Sequence, residues 1–413
     1  MTNRIRLVQY TQLPENGGWL LQKSRAPVQT LENLEMKKTL VAIAALAAFG
    51  AQAQSSVTID GLMDAGYQSI NFKGTKVSGI QGNGSGTSQI NFRGTSDLGG
   101  GLKADFRVEN DWSVVSNKAN TGAASTAVTL GQETVANGST FGNGELRVGL
   151  EQANVGRIDF GAINFNTLDT LATGQPFGTA IGGGYGSISR VDAAGGAVRD
   201  ENMVRLSTAT FSGFKAVLNK SAKQTKAVDQ AATASAAARK QTSFSTTLGA
   251  YDKLGSTEIG VNYANGPLAA SYSTLEQDSV SVGTGTTATT VNTLGANYTM
   301  GAIKGMFLNQ TVKTTTGTVA TDTAYNAFTA VYTMGNTELM ASTGKLKQDV
   351  GSAAGKESKL TAFGANYNLS KTTLVYFRTE TIKDEAGVIA AATAIDGTDT
   401  KRTRTAIGLK TNF

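Results

Sequence analysis

The chain has 413 residues, with 49 Gly, 4 Pro and neither Cys nor His; 40% are apolar, 16% are charged, and the formal net charge is +6. Without Cys or His there is no disulfide framework, thiolate nucleophile, Cys/His zinc site or histidine general base. Gly at about 12% beside Pro at about 1% excludes a Pro/Gly low-complexity chain and points to a β-rich protein with many turns.

Residues 1–35 carry no repeat and no apolar run. Residues 36–53, MKKTLVAIAALAAFGAQA, then read as a signal peptide: Lys37 and Lys38 form a positive n-region, Thr39 to Phe49 an apolar stretch too short to span a membrane, and Ala51-Gln52-Ala53 a small-x-small cleavage site. A signal that starts at Met36 makes residues 1–35 a mis-called upstream extension and residues 54–413 the mature domain. Six of the basic residues (Arg4, Arg6, Lys23, Arg25, Lys37, Lys38) and three of the acids (Glu15, Glu32, Glu35) lie before residue 54, so the mature charge falls to +3. That balance gives no nucleic-acid footprint.

From Ser55 onward the period is two. Leu102, Ala104, Phe106 and Val108 oppose Lys103, Asp105, Arg107 and Glu109; Leu146, Val148 and Leu150 oppose Glu145, Arg147 and Glu151. The same alternation recurs at Ile259, Val261 and Tyr263, at Leu294, Ala296 and Tyr298, and at Phe363, Ala365 and Tyr367. These are strands with one apolar and one polar face, and none reads as apolar on both. Short turns rich in Gly and Asn (97–100, 152–154, 212–213, 265–267, 300–301, 334–336, 369–371) alternate with longer Gly/Ser/Thr/Asn/Ala stretches near 73–87, 114–140, 165–200, 223–255, 278–290, 314–321, 349–357 and 384–400. The prediction is an all-β, antiparallel up-and-down transmembrane barrel with sixteen strands: 57–72, 88–96, 102–113, 142–151, 156–164, 201–211, 213–222, 256–264, 268–277, 291–299, 302–313, 322–333, 337–348, 358–368, 372–383 and 402–413. Residues 242–251 also look strand-like; the even strand number of bacterial barrels assigns them to a loop or to an extension of a neighbour.

The residues also resemble a known family. Ser56 to Gly66 (SVTIDGLMDAG), Phe92 to Ala104 (FRGTSDLGGGLKA), Val148-Gly149-Leu150, Gln175-Pro176-Phe177-Gly178, Arg199 to Leu206 (RDENMVRL), Ala264 to Leu268 (ANGPL) and Gly408 to Phe413 (GLKTNF) are similar to Gram-negative general porins of the Burkholderia and Neisseria type. The resemblance implies a homotrimer in a lipid bilayer with lipopolysaccharide, a third loop folded into each lumen with Pro176, Phe177 and Gly178 in its motif, and Phe413 as a signal to the outer-membrane assembly machinery. Strand phase independently puts Phe413 outward with Thr405, Ile407, Leu409 and Thr411, in the periplasmic aromatic girdle.

A channel selects by width and field. The segment 165–200 is the largest candidate constriction, with only weak structure of its own expected. Its acids are Asp169, Asp192 and Asp200. Alternation puts Arg93, Lys103, Arg107, Arg147, Arg157 and Arg205 on polar faces, so a basic wall facing an acidic loop is expected to set a transverse field. The family often has Arg at the positions of Gln89, Gly144 and Ala162 and an acid at that of Gln175, so the field should be weak. No catalytic constellation, cofactor or metal site is expected: the acids lie on turns without a paired-carboxylate scaffold, and no GxxxxGK[ST] loop exists. A plugged structural or adhesin-type barrel and a substrate-specific channel are the alternatives.

Overall fold

A computed structural model of the chain describes residues 9–12, 19–22, 55–72, 75–115, 118–119, 141–191, 198–222, 224–225, 251–281, 285–351, 353–385 and 401–413. The chain divides into two compact units, Met1–Gln54 and Ser55–Phe413. In the first, Gln9–Gln12 pairs antiparallel with Trp19–Gln22, a hairpin in a stretch whose sequence carries no strand signal. The signal segment 36–53 lies outside the described residues.

The second unit is a closed antiparallel barrel. Among the described residues it has sixteen staves, running from Ser55–Phe72 to Lys401–Asn412, each hydrogen-bonded to its sequence neighbours. The last stave closes on the first, with Gly408 opposite Gly66 and Asn412 opposite Leu62. Closure matters because an open edge would leave unpaired backbone groups in lipid, at several kcal/mol each. Val57, Ile59, Phe106, Val148, Phe160, Leu218, Ile259, Phe328, Phe363 and Ile407 are exposed on the outer face, as the alternation requires of a barrel in lipid. Gly266, Gly301 and Gly335 stand at φ 57°, 58° and 55° in the tight hairpins at one end of the barrel, where a positive φ matches the strand twist.

The strands run further than the apolar alternation does. Ser281 pairs with Gly285, Thr316 with Val319 and Val350 with Ala353, so strand pairing runs deep into the expected long loops near 278–290, 314–321 and 349–357. Ladder hydrogen bonds need no apolar face, and the strand ends are polar on both sides where they leave the apolar band. Thr75–Gly82 is likewise a strand inside the expected loop 73–87; it pairs with Ala65–Phe72 and shares the second stave with Gln89–Gly99. The stretch 242–250 lies outside the described residues. The stave that follows it, Tyr251–Asn265, turns directly into Leu268–Ser281, which keeps residues 265–267 at the short-turn end.

One expectation fails. Strand Ile303–Thr316 is apolar on both faces at Met306-Phe307-Leu308. Met306 and Leu308 are buried on the inner face with Leu275, Val291, Leu346, Leu360 and Ile382, against Phe165, Leu171, Phe177, Ile188 and Val191 of the segment that follows the fifth stave. The buried core therefore lies on the inner face, between that segment and one side of the wall.

Candidate functional site

The segment 165–191 has more structure than the sequence suggests. It opens with helix α1, Asn166–Gly174, and continues in turns to Val191. The helix has no side-chain cap of its own: Phe165 occupies the N-cap position. The barrel wall supplies one. Asn166 N and Thr167 N donate to the Glu258 carboxylate at 2.7 Å each, and the Thr167 hydroxyl donates to it at 2.7 Å. Anionic oxygens at a helix N-terminus meet both the unpaired N–H groups and the positive end of the dipole. The helix reaches this seat because Gly260 and Gly295 floor it. A Cβ at Gly260 would run into the Asn166 side chain, and one at Gly295 into the Thr170 carbonyl.

The far end of the segment is held the same way. Gly182 N and Gly184 N donate to Glu380 Oε2 at 3.0 and 2.9 Å, and Arg404 and Arg402 reach the same carboxylate at 2.8 and 3.1 Å. Arg402 also donates to the Ser187 hydroxyl at 2.7 Å. Between the two anchors, the Asn297 amide donates to the Thr173 carbonyl, and Gln310 exchanges two hydrogen bonds with the backbone of Arg190. Pro176, Phe177 and Gly178 form the turn after α1. The Gln175 side chain closes it by accepting from Phe177 N and donating to the Gly178 carbonyl. Phe177 is buried, with the Arg378 guanidinium 5.8 Å from its ring centre, so the motif anchors the segment.

The strands of the opposite wall bring the arginines into a row. Arg93 stands opposite Arg107, and Arg107 opposite Arg147, on three neighbouring staves. Carboxylates bracket the row. Arg93 pairs with Asp60 at 2.5 Å, Arg107 with Glu109 and Glu145 at 2.5 and 2.6 Å, and Arg147 with Asp105 and Asp159 at 2.7 and 3.0 Å. Arg157 pairs with Asp105 and with Asp159. Arg205 donates to Asn219 at 2.8 Å and to the Asn164 carbonyl. Lys103 is exposed between its cross-strand neighbours Asp97 and Glu151 and makes no ion pair among the described residues.

This corrects the picture of a purely basic wall facing an acidic loop. The wall carries its own acids, because the strands that present Arg107 also present Asp105 and Glu109 on the same face. Asp200 is not at the wall's basic row; it is buried on strand Arg199–Thr208, accepting from the Ser221 and Ser256 hydroxyls at 2.9 Å each. Asp192 lies outside the described residues. Asp169, in the first turn of α1, is the segment's remaining acid. Its carboxyl is water-accessible yet ringed by protein, and that enclosure raises its pKa above the usual carboxylate value; Arg205 opposes the rise and Glu145 adds to it. Phe413 is exposed on the outer face and pairs by backbone with Gly61.

Sequence reasoning missed Glu258, Glu380, Arg378, Arg402 and Arg404. Alternation alone puts Arg402 and Arg404 opposite Thr405 and Ile407, so their face was legible; their partners were not.

The sequence model described as Gram-negative porin matches residues 39–387. An outer membrane porin of Delftia acidovorans is 32% identical over 286 residues, 67% of this chain and 70% of that protein. An outer membrane porin of Bordetella pertussis is 32% identical over 259 residues, 58% of this chain and 60% of that protein. Among solved structures, an anion-selective porin from Comamonas acidovorans matches with TM-score 0.66 at 22% identity, over 87% of this chain and all of that one. OmpT of Vibrio cholerae matches with TM-score 0.60 at 14% identity, over 87% of this chain and 98% of that one.

Proposed function

The chain belongs to the Gram-negative porin family, and from that premise we propose that it is a weakly selective general diffusion porin, passing small hydrophilic solutes and ions through a water-filled lumen. It is an outer-membrane porin, and the family and fold are those of channels, not of enzymes. In this reading residues 36–53 are the cleaved signal and residues 1–35 are not translated. The protein works as a homotrimer in the bilayer among lipopolysaccharide, inserted by the outer-membrane assembly machinery through Phe413. The segment 165–191 lies across the lumen and narrows it.

The observation that carries weak selectivity is the compensated wall. Each of Arg93, Arg107, Arg147 and Arg157 has a carboxylate within 3 Å, so neither sign dominates the field. Reversal potentials across a planar bilayer in a salt gradient test it. A permeability ratio near unity is expected; a ratio of about tenfold or more for either ion sign overturns it. The cross-strand row of Arg93, Arg107 and Arg147 favours a second reading, an anion-preferring channel, and the same measurement decides between them. Silence of well-folded protein would support a plugged structural barrel instead.

A further inference from the structure

The second stave is interrupted. Gly82 stands opposite Ala65 and Gln89 opposite Leu62, so two residues of the first stave, Met63 and Asp64, face six of the second, 83–88. The six leave the sheet, and their backbone groups need partners to replace the ladder. They leave it inwards. Asp64 shares its face of the strand with buried Gln68 and Ile70, opposite in phase to exposed Tyr67, and its carboxylate accepts from Ser85 N at 2.6 Å and Gly86 N at 2.7 Å. The Ser88 hydroxyl accepts from Asp64 N at 3.0 Å and donates to its carbonyl at 3.2 Å. Asn83 Oδ1 accepts from Ser88 N at 3.1 Å, which closes the base of the excursion.

The excursion crosses the seam between the first and last staves and lands on stave Thr373–Asp384. The Tyr376 hydroxyl donates to the second oxygen of Asp64 at 2.5 Å. Its ring reaches that far because Gly84 and Gly408 lack side chains; a Cβ at either would strike it. Two residues on, Arg378 Nη2 donates to the Ser85 hydroxyl at 3.2 Å. The same two side chains hold the segment 165–191. Tyr376 is buried in one apolar cluster with Ile181, and the Arg378 guanidinium is the one 5.8 Å from the centre of the Phe177 ring. Arg378 is itself fixed by Asn366 Oδ1 at 2.7 Å and by the Ala365 and Phe377 carbonyls. At the other side, Asp60 lies four residues before Asp64 on the same face, ~13 Å along the strand, and pairs with Arg93 at the end of the arginine row. The excursion therefore stands between that row and the dock of the segment 165–191.

We propose that residues 83–88 are a second inward element of the pore, joined through Tyr376 and Arg378 to the segment 165–191 in one collar, with Asp64 as the positioning residue. Charge-assisted hydrogen bonds from two backbone N–H groups make its carboxylate a firm anchor. Ser85, Gly86 and Thr87 are only half-buried, and they offer the lumen hydroxyls and backbone without charge. This part of the collar sets the size of the solutes admitted and leaves ion sign to the arginine row. The inference rests on the porin reading and on the segment 165–191 narrowing the lumen.

The chain has no Cys, so a single engineered cysteine is a unique probe of the mature barrel. In planar bilayers, T87C treated with a bulky neutral methanethiosulfonate reagent should lose conductance in steps, and T361C, on the outer face, should lose none. Failure of T87C to label, or labelling confirmed by mass without loss of conductance, overturns the proposal. Asp64 is tested by sugar entry into liposomes, because neutral sugars do not feel the charge removed. D64N should admit sugars just above the wild-type cut-off severalfold faster, and Y376F, which changes no charge, should do so to a smaller extent. A lower melting temperature with unchanged sugar entry would make Asp64 purely structural and overturn its positioning role. F177L loosens the other arm of the dock. With one dock, the double variant D64N/F177L should fall well short of the product of the two single effects; the full product means independent elements and overturns the collar. Should D64N not fold by its heat-modifiable gel migration, Y376F takes its place in this comparison. Wild-type conductance is recorded alongside. A conducting wild type with an unresponsive T87C sinks this inference alone, whereas a silent wild type sinks the porin reading.

Discussion

Glu258 accepts both the backbone N–H and the hydroxyl of Thr167, each at 2.7 Å, across 91 positions of sequence. With the Asn166 N–H on its other oxygen, one wall carboxylate closes the N-terminus of a helix that has no cap of its own. The helix is thus held by a charge on the barrel, and its position is only as firm as that contact.

Glu258→Gln keeps the shape but replaces one acceptor oxygen with an N–H donor facing N–H donors, and removes the charge at the helix dipole. The local cost is about 2 kcal/mol, small beside a closed sheet. The barrel should therefore keep its heat-modifiable migration while single-channel traces gain open-state noise. Larger sugars should enter liposomes faster. Quiet traces with an unchanged sugar cut-off would show that the carboxylate does not hold the constriction.

Gly295→Ala tests the other half of the seat. The added methyl would fall against the Thr170 carbonyl, which is helix backbone and cannot swing aside. Either α1 lifts from the wall or the strand bends, and lifting is cheaper because the ladder on both sides of Gly295 is continuous, with Ser271 and Leu308 opposite it. The variant should behave as Glu258→Gln does in sugar entry. The control is Gly305→Ala, on the outer face with open space around it, which should change nothing.

These two residues show where the sequence was legible and where it was not. Period-two alternation is a local signal, so the staves and their outward faces could be read from it, including the outward phase of Ile407, Leu409 and Phe413. Strand ends such as 278–281 and 314–316 escaped because pairing continues where the apolar alternation stops. The seat of the segment 165–191 on the wall escaped for a different reason. Glu258 meets Thr167 and Glu380 meets Gly182 through contacts separated by 91 and 198 residues, and no periodicity reports such pairs. One clue was present: Met306-Phe307-Leu308 is apolar on both faces, which a stave between lipid and water has no reason to be. That run marks the wall the segment covers.

Asp169 gives a pH dependence of definite sign. Its pKa is raised by enclosure, so as pH falls its charge is lost before an ordinary carboxylate near ~4 would lose its own. With the segment 165–191 narrowing the pore as proposed, losing a negative charge there favours anions. Lowering the pH from 7 should therefore move the reversal potential towards anion preference, and Asp169→Asn should already show part of that move at pH 7 and a flatter response below it. For folding the sign is the reverse of a paired acid. A raised native pKa means the folded state binds this proton more tightly than the unfolded one, so the ionised group opposes folding and that penalty is relieved as pH falls through the native pKa. Asp169→Asn should accordingly leave thermal stability at pH 7 no lower than wild type. A loss of stability there would mean that Asp169 is held by a partner and not merely enclosed.

Phe413 separates closure from recognition. Its N–H donates to the Gly61 carbonyl at 3.0 Å and its carbonyl accepts from Gly61 N–H at 3.1 Å, so deleting it removes the last rung between the first and last staves. The rest of that seam, from Asn412–Leu62 to Arg402–Phe72, stays paired. Two hydrogen bonds at about 1 kcal/mol each, at the end of a continuous ladder, change the stability of the finished barrel little. If Phe413 served only the seam, deletion would leave both the amount of protein in the outer membrane and its melting nearly unchanged. If its exposed ring is read during assembly, deletion should cut the folded protein in the outer membrane severalfold while barrel refolded in detergent melts within a few degrees of wild type. Phe413→Tyr, which keeps an aromatic on the outer face, should restore most of that amount, and Phe413→Ala, which keeps the backbone rung, should not. Equal recovery by the alanine variant would show that assembly needs the backbone rung and does not read the ring.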